Sequence, residues 1–443
     1  MMANATMKPL QVGLLGIGTV GLGTWTVLRR NEEEITRRAG RPIRITWIAD
    51  KALERAREVT RGVEVNLTAD AAAVLANPEI DIVVELIGGL EPARTFILQA
   101  IANGKHVVTA NKALLARHGT EVFAAAHAKG VMVAFEGAVA GGVPIIKALR
   151  EGLTANRIEW IAGIINGTSN FILSEMRAKN APFETVLKEA QARGYAEADP
   201  AFDIDGIDAA HKLTIMSAIA FGVPMQFDKA YTEGISALTR EDIHYAEELG
   251  YRIKLLGITR RTAAGIELRV HPTLIPEKRL IANVEGVMNA VLVKGDAVGS
   301  TMYYGAGAGA EPTASAVIAD LVDVTRMHTA DPEHRVPHLA FQPEHLSDMP
   351  FLPIGEVVTS YYLRLRVLDR PGVLADIARI LADRDISIDA MIQKEPPEGE
   401  DQTDIILLTH RSIERQVVDA IARIEALPTV RKKVVRIRME ELN

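Results

Sequence analysis

Residues 10–30 read LQVGLLGIGTVGLGTWTVLRR. The apolar run over 10–15 predicts a strand and residues 21–30 predict a helix. Between them lies Gly16-Ile17-Gly18-Thr19-Val20-Gly21. In that setting Gly16 permits a tight turn, Gly18 lets the backbone approach a pyrophosphate, and Gly21 allows close helix–strand packing. The helix N-terminus adds N–H donors and the positive end of its dipole. A plain packing turn is the bland alternative. Residues 10–28 also carry no charge, between Lys8 and Arg29, and are long enough for a membrane span or signal core. Five glycines, at 13, 16, 18, 21 and 23, suit the nucleotide turn better. A cytoplasmic protein with no membrane partner is expected.

Outward from this stretch, apolar runs over 43–49, 80–86, 105–109 and 130–136 alternate with helical patterns, which argues for a parallel sheet covered by helices. Asp50 and Lys51 end the second run. An acid there suits the ribose hydroxyls of NAD, and a base suits the extra phosphate of NADP. Both are present; NADP is favoured, with dual use expected. Residues 145–325 are mixed, with a buried helix over 209–220, strands over 249–259 and 266–274, and a Gly/Ala-rich turn at 303–310 that opens a helix over 313–324. Between 332 and 353 stand five prolines, the clearest linker in the chain. His334 and His338 lie there, with Pro337 spoiling a helical metal pair, so both read as exposed linker histidines. Residues 361–439 follow the pattern β-α-β-β-α-β, a ferredoxin-like arrangement that hangs beyond the linker.

The chain has 443 residues, a formal charge of −7 and no cysteine. A net acidic chain lacks the basic face of a nucleic-acid binder. The absence of cysteine excludes disulfides, thiolate metal sites and cysteine nucleophiles.

The chemistry concentrates in four places. Thr109-Ala-Asn-Lys112 ends a strand, where open α/β sheets bind ligands. Residues 194–212, GYAEADPAFDIDGIDAAHK, run from acids into an apolar helix. Asp208 and Lys212, four apart, share a helical face; a solvated ion pair is the ordinary reading. At the head of a buried helix the same pair can hold an amino group and deliver a proton to a nascent alkoxide. Glu136-Gly-Ala-Val-Ala-Gly-Gly-Val-Pro144 offers a carboxylate and carbonyls, an all-oxygen set for a hard cation. Residues 163–171, GIINGTSNF, supply amides and hydroxyls for a polar pocket.

With TANKALLA at 109–116, EGAVAGGVP at 136–144, GIINGTSNFIL at 163–173, GYAEADPAFDIDGIDAAHKL at 194–213 and GAGAGAEPTASAVIADL at 305–321, the chain resembles the monofunctional homoserine dehydrogenases that carry a C-terminal ACT domain. No aspartate kinase region precedes the glycine loop, so the bifunctional form is not expected. The resemblance implies NAD(P)H-dependent interconversion of L-aspartate 4-semialdehyde and L-homoserine, on the route to threonine, methionine and isoleucine. It implies Lys212 as proton donor, Lys112 as a second catalytic lysine beside the nicotinamide, and Glu197, Asp208 and Lys212 as substrate ligands. Cofactor contacts are expected at Gly16, Gly18, Thr19, Val20, Gly21, Lys51, Lys112, Gly194, Glu197 and Gly309. A sodium ion is expected at Glu136 with the backbone of Val139, Gly141 and Val143. Threonine is the effector implied for the ACT unit.

The expected fold class is α/β. A Rossmann-type domain covers 1–145, with 310–330 packing back on it. A mixed α+β catalytic and dimerisation domain covers 146–325, the proline-rich linker 326–357, and a ferredoxin-like ACT domain 358–443. A homodimer or homotetramer is expected. Two rivals stand beside this reading: a dehydrogenase acting on an imine, and a non-enzymatic dinucleotide sensor that would not need Lys212.

Overall fold

The computed structural model describes residues 7–396 and 399–443. They form two compact units. The first holds the described residues through 165, with 208–228 and 288–349; the second holds 166–207, 229–287 and 350–443.

In the first unit six strands form a parallel sheet in the order Asn66–Thr68, Ile43–Ala49, Leu10–Leu15, Ile82–Glu85, His106–Thr109, Val133–Ala134. Their Val, Ile and Leu runs are buried on both faces, as a helix-covered parallel sheet requires. The uncharged stretch at 10–28 is the central strand Leu10–Leu15 and part of the helix Thr19–Arg30. Among the described residues, no helix is long and apolar enough to cross a membrane. The helix Ala310–Met327 returns to this core, placing Ala314, Val317 and Leu321 against Leu14, Trp25 and Leu28. At Gly23 a side chain would collide with the backbone of Ala310, so the close crossing of the two helices needs glycine there. The unit also holds Met288–Gly295, antiparallel to Ile158–Ile164 on one side and Gly299–Ala306 on the other. The helix Ile207–Phe221 is buried at every position from Asp208 onward, which is why its sequence shows so little amphipathic pattern.

The proline-rich stretch departs from expectation. Leu339 is buried, the Phe341 ring lies directly over Gly222, and Ser347 N–H donates to the Gly222 carbonyl at 2.6 Å. His338 is not an exposed linker histidine. Its ring stacks on Phe123 at 5.1 Å and its Nε2 accepts the Val133 N–H at 3.1 Å. Proline forbids a continuous helix but leaves short helical turns at Pro332–His334 and Pro343–His345 joined by extended chain, whose side chains can still pack.

His106 is held in the same way, its Nδ1 accepting the Met132 N–H at 2.9 Å. Burial, reinforced by nearby arginines, pushes His106 down to about 4 and His338 down to about 3, and burial does the same to His211, at about 4. Above about pH 6.5, folded and unfolded chains are both neutral at these sites. Below it the unfolded chain takes up protons that the folded chain refuses, so stability is lost as pH falls from about 6.5 towards 4. The expected slope is about 1.4 kcal/mol per pH unit for each histidine. His338→Gln, which keeps an acceptor for Val133, flattens it; urea midpoints at pH 7 and pH 5 measure the change, and an unaltered slope contradicts the assignment.

In the second unit Ile266–Pro276 pairs antiparallel with Tyr251–Arg261 along its whole length. On its other edge it pairs in parallel with Val435–Met439, through Thr273 beside Arg438 and Leu274 beside Met439, and with the short Tyr231–Thr232. Val435–Met439 is the last strand of the ferredoxin-like fold, whose sheet continues through Val358–Leu368 and Gln402–Thr409 to Ile388–Gln393. Its helices Val373–Ala382 and Glu414–Glu425 cover one face around Leu363, Leu365, Ile377, Val417 and Ile424. The expected β-α-β-β-α-β order is present, but the fold does not hang beyond a linker: its last strand continues the sheet of Ile266–Pro276. Part of the polar turn at 395–402 lies outside the described residues.

Candidate active site

The glycine loop sits at the carboxyl end of Leu10–Leu15. Gly16 adopts φ +97°, and a Cβ there would come 2.8 Å from the Leu86 carbonyl. Around Gly18 no heavy atom lies within 4 Å of where a Cβ would be, leaving room beside the backbone. Gly18 precedes the helix with no side-chain cap, so the N–H groups of Thr19, Val20 and Gly21 lie in its first turn. These features fit a dinucleotide phosphate. Asp50 fixes the loop: its carboxylate accepts the Ile17 N–H and the Ala52 N–H, each at 2.7 Å. Lys51 beside it is exposed.

Two strand ends away, Glu85 accepts the Ile87 and Gly88 N–H groups at 2.8 and 3.1 Å, and Thr109 Oγ1 donates to it at 2.6 Å. Asn111 caps the helix Lys112–Lys129 through the Leu114 N–H and donates to the Gly89 carbonyl at 2.7 Å. Lys112 is thereby set on the first turn of that helix.

Lys112, Asp208 and Lys212 come together. One Asp208 oxygen lies 3.1 Å from Lys112 Nζ and the other accepts from Lys212 Nζ at 2.6 Å. Lys212 also donates to the Ile165 carbonyl at 2.7 Å. Asp208 and Lys212 are buried, whereas the Lys112 side chain is 34% exposed. The ordinary reading of Asp208 and Lys212 as a solvated pair is therefore set aside: one buried carboxylate bridges two ammonium groups. No sequence signal points to Ile165, because it acts through its backbone.

Glu136 departs from the expected cation ligand in one respect. Its carboxylate is already engaged, accepting the Ile146 and Lys147 N–H groups at 2.9 and 2.8 Å. Its own N–H donates to Asp320 Oδ2 at 2.8 Å. Burial, then the nearby Glu136 charge, pushes Asp320 up to about 8. Val139, Gly141 and Val143 lie in a tight turn in which Ala140 and Gly141 adopt φ +54° and +47°. The turn packs on residues 305–309, with the Gly142 N–H donating to the Ala306 carbonyl at 2.9 Å. Among the described residues no group of three His, Asp or Glu side chains is arranged to hold a metal; the donors offered here are carbonyl oxygens, a set that suits a hard cation. Gly309, at φ +121°, opens the helix Ala310–Met327.

Gly194 and Glu197 belong to the second unit, on an exposed turn after the helix Phe183–Ala192. Within that unit two of the motifs meet. Thr168 Oγ1 donates to the Tyr195 carbonyl at 2.7 Å, Asn166 Nδ2 to Asp203 Oδ1 at 2.7 Å, and Ser169 Oγ to the Asp203 carbonyl at 3.0 Å. Nothing at the spacing of Asn166 and Asp203 in the sequence predicts that they meet.

A glycine-loop parallel sheet with ammonium groups gathered at its carboxyl end defines a nicotinamide-dependent oxidoreductase. Residues 16–136 match the family described as homoserine dehydrogenase, NAD binding domain, residues 144–322 match homoserine dehydrogenase, and residues 361–428 match the ACT domain. A homoserine dehydrogenase of Pseudomonas aeruginosa is 64% identical over 99% of this chain and 100% of that protein, and one of Neisseria gonorrhoeae is 60% identical over the same shares. The crystal structure of a homoserine dehydrogenase from Thiobacillus denitrificans is 73% identical, with a TM-score of 0.94 over 99% of this chain and 100% of that one. The chain belongs to the homoserine dehydrogenase family, NAD(P)-dependent oxidoreductases.

Proposed function

We propose that this enzyme interconverts L-aspartate 4-semialdehyde and L-homoserine with Lys212 as the acid that completes the reduction. The observation that carries this is the Asp208 carboxylate shared by Lys212 and Lys112. The bound nicotinamide supplies the hydride that reaches the aldehyde carbon. As the C–H bond forms, the carbonyl π pair moves to oxygen. The Lys212 ammonium stabilises that charge and gives the oxygen a proton, leaving homoserine and a neutral amine to be reprotonated. Asp208 and the Ile165 carbonyl hold the lysine in one orientation, so little reorganisation accompanies the reaction. Lys112 keeps positive charge beside the same carboxylate. Asp208 binds the substrate ammonium in this reading, and the family resemblance assigns Glu197 to the substrate as well.

The cofactor reading favours NADP, with NAD also used. Asp50 is turned to the glycine loop, and Lys51 beside it is exposed, which supports a cation rather than a carboxylate facing the ribose. Gly194, Glu197 and Gly309 complete the cofactor contacts in this proposal. Homoserine oxidation assayed with NADP and with NAD tests substrate and cofactor together. Lys51→Ala lowers kcat/KM for NADP by about tenfold, the worth of one charge-assisted contact, and leaves that for NAD unchanged. Equal losses with both cofactors contradict the assignment.

The same proposal places sodium on the carbonyls of Glu136, Val139, Gly141 and Val143, threonine as an effector of the ACT unit, and the enzyme in a homodimer or homotetramer on the route to threonine, methionine and isoleucine.

A further inference from the structure

Nothing in the sequence marks residues 231–235 as functional, yet this short segment is packed on both sides without slack. On one side the Glu233 N–H donates to the Val270 carbonyl at 2.8 Å, beside the parallel pairing of Tyr231 with Arg269. On the other the Ile235 N–H donates to the Ile204 carbonyl at 2.9 Å. A Cβ on Gly234 would fall 2.6 Å from that carbonyl and 3.0 Å from the Asp205 Cα, so backbone lies directly on backbone. Gly206, at φ +81°, closes the loop against Val270, where a Cβ would come 2.9 Å from the valine side chain. Residues 203–206 lie in the acidic stretch that runs from Glu197 to Asp208.

The Glu233 carboxylate points the other way along the chain of contacts. It accepts from Arg438 at 2.9 Å, from Arg436 at 3.3 Å and from the Tyr231 hydroxyl at 2.7 Å. Both arginines stand on the last ACT strand and are clamped by Glu414, the first residue of the second ACT helix, at 2.6 to 2.8 Å. Arg438 is fully buried. Glu233 thus ties that strand to Gly234 and Ile235, whose backbone lies against Ile204 and Asp205.

We propose that Glu233 is a positioning residue through which the last ACT strand sets the acidic loop at 197–206; this rests on the proposed reading that Glu197 binds the substrate ammonium. A misplaced loop weakens substrate binding first: the cofactor keeps its glycine loop, and Asp208 and Lys212 stay on the helix Ile207–Phe221, so the effect falls on the homoserine KM. The test compares full-length wild type, Glu233→Gln and Glu197→Gln in steady-state homoserine oxidation, with thermal melts of each. In Glu233→Gln the homoserine KM rises about fivefold or more, with kcat and the cofactor KM changed by less than about twofold. An unchanged homoserine KM, or an equal rise in the cofactor KM, overturns the proposal. Should Glu233→Gln fail to fold, Arg436→Gln weakens the same contact more gently and raises the homoserine KM by about twofold; no rise there also overturns it. If Glu197→Gln leaves the homoserine KM unaltered, the reading of the loop itself fails, a result distinct from a silent Glu233.

Discussion

Lys212→Met lowers homoserine turnover by about 10²-fold or more, the usual loss when a general acid is removed. Methionine fills nearly the same volume with an unbranched apolar chain, so the buried helix Ile207–Phe221 keeps its packing. The variant loses the donor to Asp208 and to the Ile165 carbonyl, and with it the proton for the alkoxide. The glycine loop and Asp50 do not depend on Lys212, so NADPH affinity, read from the fluorescence of the bound dihydronicotinamide, stays within about twofold. Lys112 does not substitute, because it lies across the shared carboxylate from Lys212. Equal losses of turnover and cofactor affinity would point to a damaged fold. Full turnover would remove Lys212 from the reaction.

The second large effect concerns stability. Arg269 is fully buried on Ile266–Pro276 and donates to Glu267 at 2.9 and 3.0 Å and to Glu440 at 2.5 Å. Glu440 follows the last ACT strand, and its N–H donates to the Leu274 carbonyl at 3.0 Å. Burial alone would raise the Glu440 carboxyl; the Arg269 and Arg260 charges overcome it and hold the group down at about 2. Arg269→Met leaves two buried carboxylates with Arg260 as their remaining cation. Breaking a buried pair from one side costs about 3–5 kcal/mol, and urea unfolding of the full chain measures it. Adding Glu440→Gln to Arg269→Met recovers much of the loss, because the uncompensated charge is gone. A single-variant cost below about 1 kcal/mol, the worth of an exposed pair, contradicts this account of the join between Ile266–Pro276 and the last ACT strand.

What the sequence discloses is what local chemistry encodes. The glycine loop is legible because φ > 0 at Gly16 and the close approach of Gly21 to the Gly16 carbonyl demand glycine, and period-two and helical patterns disclose the ferredoxin-like order through Leu363, Leu365, Ile377 and Val417. Lys112, Asp208 and Lys212 can be singled out as candidates, since strand ends and helix spacing place them. Their meeting on one carboxylate cannot, because Lys112 and Asp208 are 96 positions apart and no local rule spans that distance. Backbone roles are equally silent: the Ile165 carbonyl that holds Lys212, and the N–H groups of Ile146 and Lys147 that occupy Glu136. His338 misleads for a related reason. Proline density marks broken helix, and it carries no information about whether the broken segment is buried. The parallel pairing of Thr273 with Arg438 is likewise hidden, since the β-α-β-β-α-β pattern leaves open which edge strand finds a further partner.

The most direct test of the central claim is a crystal structure of the enzyme with the oxidised cofactor and homoserine bound. The account predicts the homoserine hydroxyl oxygen within about 3 Å of Lys212 Nζ, a hydrogen-bond distance, with the lysine still on Asp208 and the Ile165 carbonyl. A hydroxyl whose nearest donor is another group, with Lys212 Nζ well outside hydrogen-bond reach, contradicts it.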